Sequence, residues 1–180
     1  NVYKYRYCYH KTKIPYGAIK YGKLARRIAI HYGLNPSIFM AQIECESLWN
    51  EKAISSDKGY GLCQITPRVL KNKKIEKAKL FDPEYNLIIG AQIKLYSWKK
   101  AKKICQKFNC NCLDKIALRI YNGGSKYLIK ELNYLDEKNL ICNWNNILKV
   151  CARDLCLWWV NIYYVIKVEN SAKKYKFFVQ

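Results

Sequence analysis

Histidine is scarce in this chain of 180 residues, which holds only two, His10 and His31. Nine cysteines are present, but none of them forms a C-x-x-C pair, and both histidines lie far in sequence from the cysteine group at residues 105–156. Protein zinc sites are built mainly from closely spaced Cys and His ligands. The sequence therefore predicts no metal site, and we expect no cofactor.

Acidic residues are also few, since 13 Asp and Glu face 33 Lys and Arg and give a formal net charge of +20. Such a charge favours an anionic partner, which is a nucleic acid, an acidic membrane surface or an anionic cell-wall polymer. Solvated surface lysines are an equally simple explanation for much of the charge. Because the cationic residues are spread along the whole sequence rather than set in an aromatic-interleaved stripe, we predict no nucleic-acid partner.

Long apolar runs are absent as well. The most apolar stretch, residues 155–168, covers about 14 residues, is interrupted by Asn161 and directly follows Arg153 and Asp154. A helix needs about 20 apolar residues to cross a bilayer. We therefore predict a buried core helix here and no membrane span.

The most informative stretch runs from Asn35 to Pro67 and predicts a helix followed by a loop that contains glycines. Asn35 is a suitable N-cap, and Pro36 suits the first helical position because its missing N–H would have had no partner there. The predicted helix runs to about Asn50. Its apolar residues 38–41 point in every direction around the axis, which is typical of a buried helix.

Two carboxylates, Glu44 and Glu46, lie in the second half of this helix. Burying a charge without a partner is costly, so one of them is predicted to have a function. Residues two apart on a helix point about 200° away from each other, so the two cannot line the same cleft. After the helix, Gly59 and Gly61 allow a tight turn or a close backbone approach, and Gln64 supplies an amide beside it. A carboxylate facing such an amide is suited to sugar chemistry.

Four blocks of this sequence resemble the soluble lytic transglycosylase (SLT-type) family. Glu46-Ser47, followed by the run Gly61-Leu62-Cys63-Gln64, resembles the family's Glu-Ser pair and its Gly-Leu-Met-Gln box. Residues 86–96, residues 117–124 and Tyr175 resemble three later motifs in the same order. Two positions differ from the family pattern, since Cys63 replaces the usual Met and Ser171 stands where many members carry a Glu.

Helical spacing dominates everywhere except near residues 52–66, so we predict a mainly α fold with at most a small β-hairpin there. The resemblance implies that this fold is lysozyme-like. We expect one catalytic domain at residues 17–180, preceded by a Tyr- and Lys-rich N-terminal arm at residues 1–16.

The resemblance also implies a mechanism. Hydrolytic glycosidases generally use two carboxylates, whereas this sequence offers Glu46 and no obvious second one. In lytic transglycosylases a single Glu acts first as general acid and then as base, and the C6 hydroxyl of N-acetylmuramic acid attacks C1 to form a 1,6-anhydro product. By the same resemblance, the substrate-binding residues are Ser47, Gly61, Gln64, Tyr121, Asn122 and Glu169.

Two alternatives remain open. A goose-type lysozyme shares the fold but uses water and a second carboxylate, for which Asp57 is the local candidate. The other alternative is a basic wall-binding module without activity. For an enzyme, the expected partners are peptidoglycan glycan strands in the cell envelope, periplasmic or secreted. Tyr60 before Gly61 resembles smaller members that serve secretion or conjugation machines or phage particles.

The apolar spacing predicts further helices. The first covers residues 18–32, and another begins at Asp82-Pro83. The longest has about 25 residues, with one face marked by Trp144, Ile147, Leu148, Cys151, Leu155, Trp158, Ile162 and Val165.

The cysteines divide into two groups. Cys45 and Cys63 flank the candidate site and are predicted to be small apolar fillers. In an exported protein, disulfides are expected among the remaining group, although the pairing cannot be read from sequence. This group consists of Cys105, Cys110, Cys112, Cys142, Cys151 and Cys156.

Overall fold

The computed structural model describes residues 13–66 and 75–178. These residues form seven α-helices, which we number in chain order: α1 (Tyr16–His31), α2 (Pro36–Ser47), α3 (Pro83–Phe108), α4 (Leu113–Gly123), α5 (Lys126–Glu137), α6 (Trp144–Ile147) and α7 (Leu155–Phe178). A 3-10 helix at Lys77–Phe81 precedes α3. Most of the predicted N-terminal arm at residues 1–16, including His10, lies outside the described residues.

The chain divides into two compact units. The first consists of the described residues within Asn1–Gln92 and Lys167–Gln180, and the second is Ile93–Ile166. The boundaries fall within α3 and α7, so each of these two helices contributes residues to both units.

In the first unit, α2 begins as predicted and ends earlier. The Asn35 side chain accepts a hydrogen bond from the backbone N–H of Ile38 at 3.3 Å and caps the helix. The predicted end near Asn50 is wrong, because Leu48 and Trp49 adopt left-handed backbone angles, with φ of 53° and 64°. An α-helix cannot continue through such angles. The resulting turn buries the Trp49 side chain and leaves Leu48 exposed.

The segment after α2 contains very little β-structure. Tyr60 forms isolated antiparallel bridges with Ile54 and with Ile65. Among the described residues, no strand extends beyond such a bridge. The prediction of a mainly α fold with at most a small hairpin near residues 52–66 is confirmed.

The prediction of one helix of about 25 residues that begins near Trp144 is wrong. Two helices, α6 and α7, replace it, and residues 148–154 between them are not helical. The Asp154 carboxylate accepts a hydrogen bond from the Leu157 N–H at 3.2 Å and starts α7. Just before it, the Glu131 carboxylate accepts one from the Ala152 N–H at 3.3 Å. These side chains bind backbone groups that a continuous helix would have bonded internally, so the helix breaks although the apolar spacing continues.

The apolar first half of α7 is only partly a core segment. The buried side chains are those of Trp158, Asn161, Ile162, Tyr164, Val165 and Val168. Three apolar side chains near its start are exposed, namely Leu155, Leu157 and Trp159. Within residues 13–66 and 75–178, no helix combines the length and the hydrophobicity that a bilayer crossing requires.

A buried ion pair joins α4 to α5. The Arg119 guanidinium contacts the Glu131 carboxylate, and the two side chains are only 2% and 0% exposed. Burial lowers the pKa of Arg119 and raises the pKa of Glu131, while the attraction between the two charges opposes both shifts. Because Glu131 also binds the Ala152 N–H, this one carboxylate fixes α4, α5 and the segment before α7.

One disulfide is present among the described cysteines. Cys110 and Cys142 are bonded, with their Cα atoms 4.6 Å apart. The other members of the predicted group are thiols, and burial raises the pKa of Cys112 to about 11. Cys63 is buried and Cys45 is half-buried, in agreement with their predicted role as apolar fillers.

We expect Glu131→Ala to destabilise the protein by about 3–5 kcal/mol, because Arg119 would remain as a buried charge without its partner. Urea unfolding followed by circular dichroism measures the loss. Glu137→Ala removes an exposed glutamate from the same helix and should cost less than about 0.5 kcal/mol. If the single variant does not fold, Arg119→Met/Glu131→Met, which removes both charges, should fold. Equal effects of Glu131→Ala and Glu137→Ala would contradict the role of the pair.

Candidate active site

The two carboxylates of α2 lie in different surroundings. Glu44 is buried, with 6% of its surface exposed, whereas Glu46 is partly exposed. This difference agrees with the sequence argument that only one of the two can line a cleft. Both belong to the first unit.

Glu44 is held by two side chains from the end of α7. The Tyr175 hydroxyl donates a hydrogen bond to Glu44 Oε2 at 2.6 Å, and Lys174 Nζ donates to Oε1 at 2.5 Å. The indole N–H of Trp49 donates in turn to the Tyr175 hydroxyl at 2.8 Å. Burial and the bond to Glu44 both raise the pKa of Tyr175, so its hydroxyl stays a proton donor. These partners explain how an apolar helix accommodates the charge of Glu44.

Ser47 and Glu169 also lie in the first unit. The buried Ser47 hydroxyl donates to the Ile43 carbonyl at 3.2 Å, which is a local hydrogen bond within α2. This bond gives Ser47 a structural role next to the substrate role that the resemblance implies. Glu169 lies on α7 and is partly exposed.

Asn86 on α3 holds the glycine-containing loop. Its Nδ2 donates to the carbonyls of Tyr60 and Leu80 at 2.9 and 2.8 Å, and its Oδ1 accepts from the Cys63 N–H at 2.8 Å. The side chain is almost fully buried, so water does not compete for these bonds. Gly61 has a φ of 70°, and any side chain there would collide with Asn86. The sequence predicts a close approach at Gly61, and the structure identifies its partner.

The methionine position of the family box is filled by Cys63. Cys63 packs directly against Gly90 on α3, where a Cβ atom would collide with the cysteine sulfur. Gly90 and Asn86 are four residues apart and therefore lie on the same face of α3. Asn86 and Gly90, at the start of the sequence block at residues 86–96, thus support this loop.

Gln64 directs its amide nitrogen into the loop itself. Its Nε2 donates to the carbonyls of Gly61 and Ala53 at 2.8 and 3.2 Å. An amide nitrogen has two hydrogens, so these bonds use both. Gln64 therefore stabilises the loop, and a contact with substrate would have to come from its Oε1.

Asp57, the candidate second carboxylate of a hydrolase, is exposed in the same loop. It accepts a hydrogen bond from the Ser55 hydroxyl, whose oxygen accepts one from the Gly59 N–H at 2.8 Å. Such contacts are typical of side chains that stabilise a turn. In the part of the chain that the structure describes, no group of three or more His, Cys, Asp or Glu side chains is placed to bind a metal ion.

Tyr121 and Asn122 lie at the end of α4, in the second unit. The Tyr121 ring stacks on Tyr164, with the ring centroids 6.4 Å apart. Asn122 is exposed, and its Nδ2 donates to Asn161 Oδ1 at 3.3 Å. The first unit contains the other predicted site residues, which are Glu46, Ser47, Gly61, Gln64 and Glu169.

A family model described as the Transglycosylase SLT domain matches residues 23–140. The match covers well over half of the chain and includes Glu46, the loop box and Tyr121. The chain belongs to this family. The resemblance that the four sequence blocks predict is therefore confirmed.

Two curated relatives of this SLT-domain chain carry the same name, Membrane-bound lytic murein transglycosylase C. The protein from Photorhabdus laumondii is 26% identical over 122 residues, and the one from Actinobacillus pleuropneumoniae serotype 5b is 32% identical over 127 residues. The alignments cover 63% and 65% of this chain and 34% of each relative. The chain thus spans about a third of the length of the curated relatives it matches.

A solved structure shows a similar fold. The crystal structure of the 70 kDa soluble lytic transglycosylase from Escherichia coli matches with a TM-score of 0.64 and 23% sequence identity, over 88% of this chain and 24% of that chain. At this identity the likeness concerns the fold alone. It confirms the predicted lysozyme-like, mainly α architecture of the SLT-domain chain.

We expect Asn86→Asp to lower the unfolding free energy by about 1–3 kcal/mol, because a carboxylate cannot donate to the Tyr60 and Leu80 carbonyls. Urea denaturation measures the change. The control is Asn170→Asp on α7, where the exposed side chain accepts a hydrogen bond from Lys173 and an Asp can still accept it. A variant at Asn86 as stable as this control would contradict the supporting role of Asn86.

Proposed function

We propose that this SLT-domain chain is a peptidoglycan lytic transglycosylase. It would cleave the β-1,4 bond between N-acetylmuramic acid and N-acetylglucosamine and form a 1,6-anhydromuramic acid end. Family membership and the names of the two relatives support this activity. The observation that carries it is the difference between two carboxylates of α2: Lys174 and Tyr175 hold Glu44, and Glu46 is partly exposed.

In the proposed reaction Glu46 first gives its proton to the glycosidic oxygen, and the bond from C1 to that oxygen breaks. The resulting Glu46 carboxylate then takes the proton of the muramoyl C6 hydroxyl as this oxygen attacks C1. The proton balance closes, because Glu46 is protonated again at the end. One carboxylate therefore suffices, in contrast to the pair that hydrolytic glycosidases use.

The other proposed site residues bind the substrate. Gly61 and Gln64 shape the loop that receives the sugar, and Ser47 positions the end of α2 that carries Glu46. Tyr121 and Asn122 are proposed to stabilise the developing charge or the N-acetyl group. Glu169 is proposed as a further substrate contact.

We propose that residues 17–180 act as one catalytic domain in the cell envelope, periplasmic or secreted. Its partners would be peptidoglycan glycan strands. Tyr60 before Gly61 supports a role in opening the wall locally for a secretion or conjugation machine or a phage particle.

A goose-type muramidase activity is less well supported, because Asp57 and Ser55 take part in a turn within the glycine-containing loop. A wall-binding module without activity would not need a partly exposed Glu46.

We expect Glu46→Gln to lower the release of fragments ending in 1,6-anhydromuramic acid from purified peptidoglycan by at least about 100-fold, since the general acid and base is lost. Mass spectrometry of the soluble fragments measures the products. Asp57→Asn should release the same anhydro fragments at nearly the wild-type rate. Reducing-end products that depend on Asp57 would contradict the proposal and indicate a muramidase. Binding without any turnover by the wild type would indicate a wall-binding module.

A further inference from the structure

The second half of α3 carries a line of side chains that we call the lysine stripe, formed by Tyr96, Lys99, Lys100, Lys103 and Lys107. At about 100° per residue, these five positions fall within a sector of about 100° on the helix surface. Along the axis they extend over about 16 Å. Tyr96 is 65% exposed, the lysines at 99, 103 and 107 are exposed, and the one at 100 is half-buried.

The opposite face of this half of α3 is packed into the second unit. Its buried residues are Ser97, Ala101, Ile104 and Cys105. Because a helix presents opposite faces to core and solvent, the burial of these residues fixes the lysine stripe as an outward face of the second unit. The cations are spread along the sequence, and the helix places four of them on one face.

The lysine stripe has no acidic residue on its own helix to offset its charge. The acidic residue of α3 is Glu84 in the first turn, about three turns before the stripe begins. Lys99, Lys103 and Lys107 follow one another at four-residue spacing, at which like charges destabilise a helix. A bound polyanion would remove this repulsion.

We propose that the lysine stripe binds the carboxylates of peptidoglycan stem peptides and so holds the protein on its insoluble substrate. This inference rests on the proposed function, which supplies the polymer. Lysine ammonium groups pair with carboxylates without demanding a fixed bidentate geometry, which suits flexible peptides repeated along a glycan strand. Each exposed pair is weak, but several pairs on one strand act together by effective concentration.

Two other anionic partners, an acidic membrane surface and a single-stranded nucleic acid, fit the lysine stripe less well. Helices that bind membrane surfaces place a broad apolar face beside their basic residues, whereas the stripe contains Tyr96 and otherwise lysines. Binding to single-stranded nucleic acid relies on several aromatic rings that stack on successive bases. Carboxylated wall polymer requires only the row of cations.

The test compares two triple variants, each built with Glu46→Gln so that the polymer stays intact. The stripe variant carries Lys99→Gln, Lys103→Gln and Lys107→Gln. The matched variant carries Lys23→Gln, Lys138→Gln and Lys173→Gln, which remove the same formal charge from exposed positions elsewhere. In co-sedimentation with purified peptidoglycan, we expect the stripe variant to bind about tenfold more weakly and the matched variant to change by less than about twofold.

The parent protein here is the Glu46→Gln variant with all its lysines intact. Peptidoglycan whose carboxyl groups have been converted to methylamides should bind the parent protein and the stripe variant equally weakly. Equal affinities of the two triple variants for untreated peptidoglycan would overturn the proposal, as would full binding of the parent protein to the methylamide polymer. A selective loss of binding to DNA or to phosphatidylglycerol vesicles, with peptidoglycan binding unchanged, would overturn it in favour of another polyanion.

Product analysis with Glu46 intact separates this proposal from the proposed function. The stripe variant should still release anhydromuramic ends from soluble glycan fragments. If the wild type forms no such ends while binding to peptidoglycan still depends on the lysine stripe, the proposed activity fails and the binding surface stands.

Discussion

The buried charge of Glu44 is the constraint on which the candidate site depends. An unpaired carboxylate in α2, which is apolar around its axis, would cost several kcal/mol. Lys174 and Tyr175 remove this cost, although they lie 130 and 131 residues further along the chain. Burial of Glu44 therefore requires the end of α7 to pack against α2. Trp49 extends the same network beyond the end of α2, so the stretch that carries Glu46 is fixed on both sides.

The glycine-containing loop is held by buried hydrogen bonds to an uncharged side chain. Asn86 satisfies three backbone groups of the buried chain, and Gly61 leaves the space that this amide occupies. Gly90, one turn further along α3, leaves the space for Cys63. The family block at residues 61–64 and the start of the block at residues 86–96 are thus two halves of one packed arrangement. A change in either half would move the loop that is proposed to receive the sugar.

What could be predicted from the sequence was local. The Asn35 cap, the need for glycine at position 61 and the opposite orientation of Glu44 and Glu46 all follow from a few neighbouring residues. The break at residues 148–154 has one local signal, the N-cap Asp154, and one that could not be predicted, because Glu131 comes from another helix and binds the Ala152 N–H. Apolar spacing reflects residue type alone, and it continues through this break although Cys151 and Leu155, two of the residues that mark the predicted face, are exposed.

The partner of a buried charge is a second feature that sequence patterns do not reveal. The sequence indicates that a carboxylate in α2 needs a partner or a function, but nothing near Glu44 identifies Lys174 and Tyr175. The same holds for the bond between Cys110 and Cys142, which the sequence only places within a group of six cysteines. Such pairings depend on the folded chain as a whole.

The different roles of Glu44 and Glu46 are tested most directly by measuring stability and product formation for both Glu→Gln variants side by side. We expect Glu44→Gln to lower the unfolding free energy by about 1–3 kcal/mol and to keep anhydromuramic product formation per folded molecule. Glu46→Gln should lose less stability than Glu44→Gln and lose product formation. A fully stable Glu44→Gln variant that formed no product would contradict this assignment, because Glu44 would then be the acid.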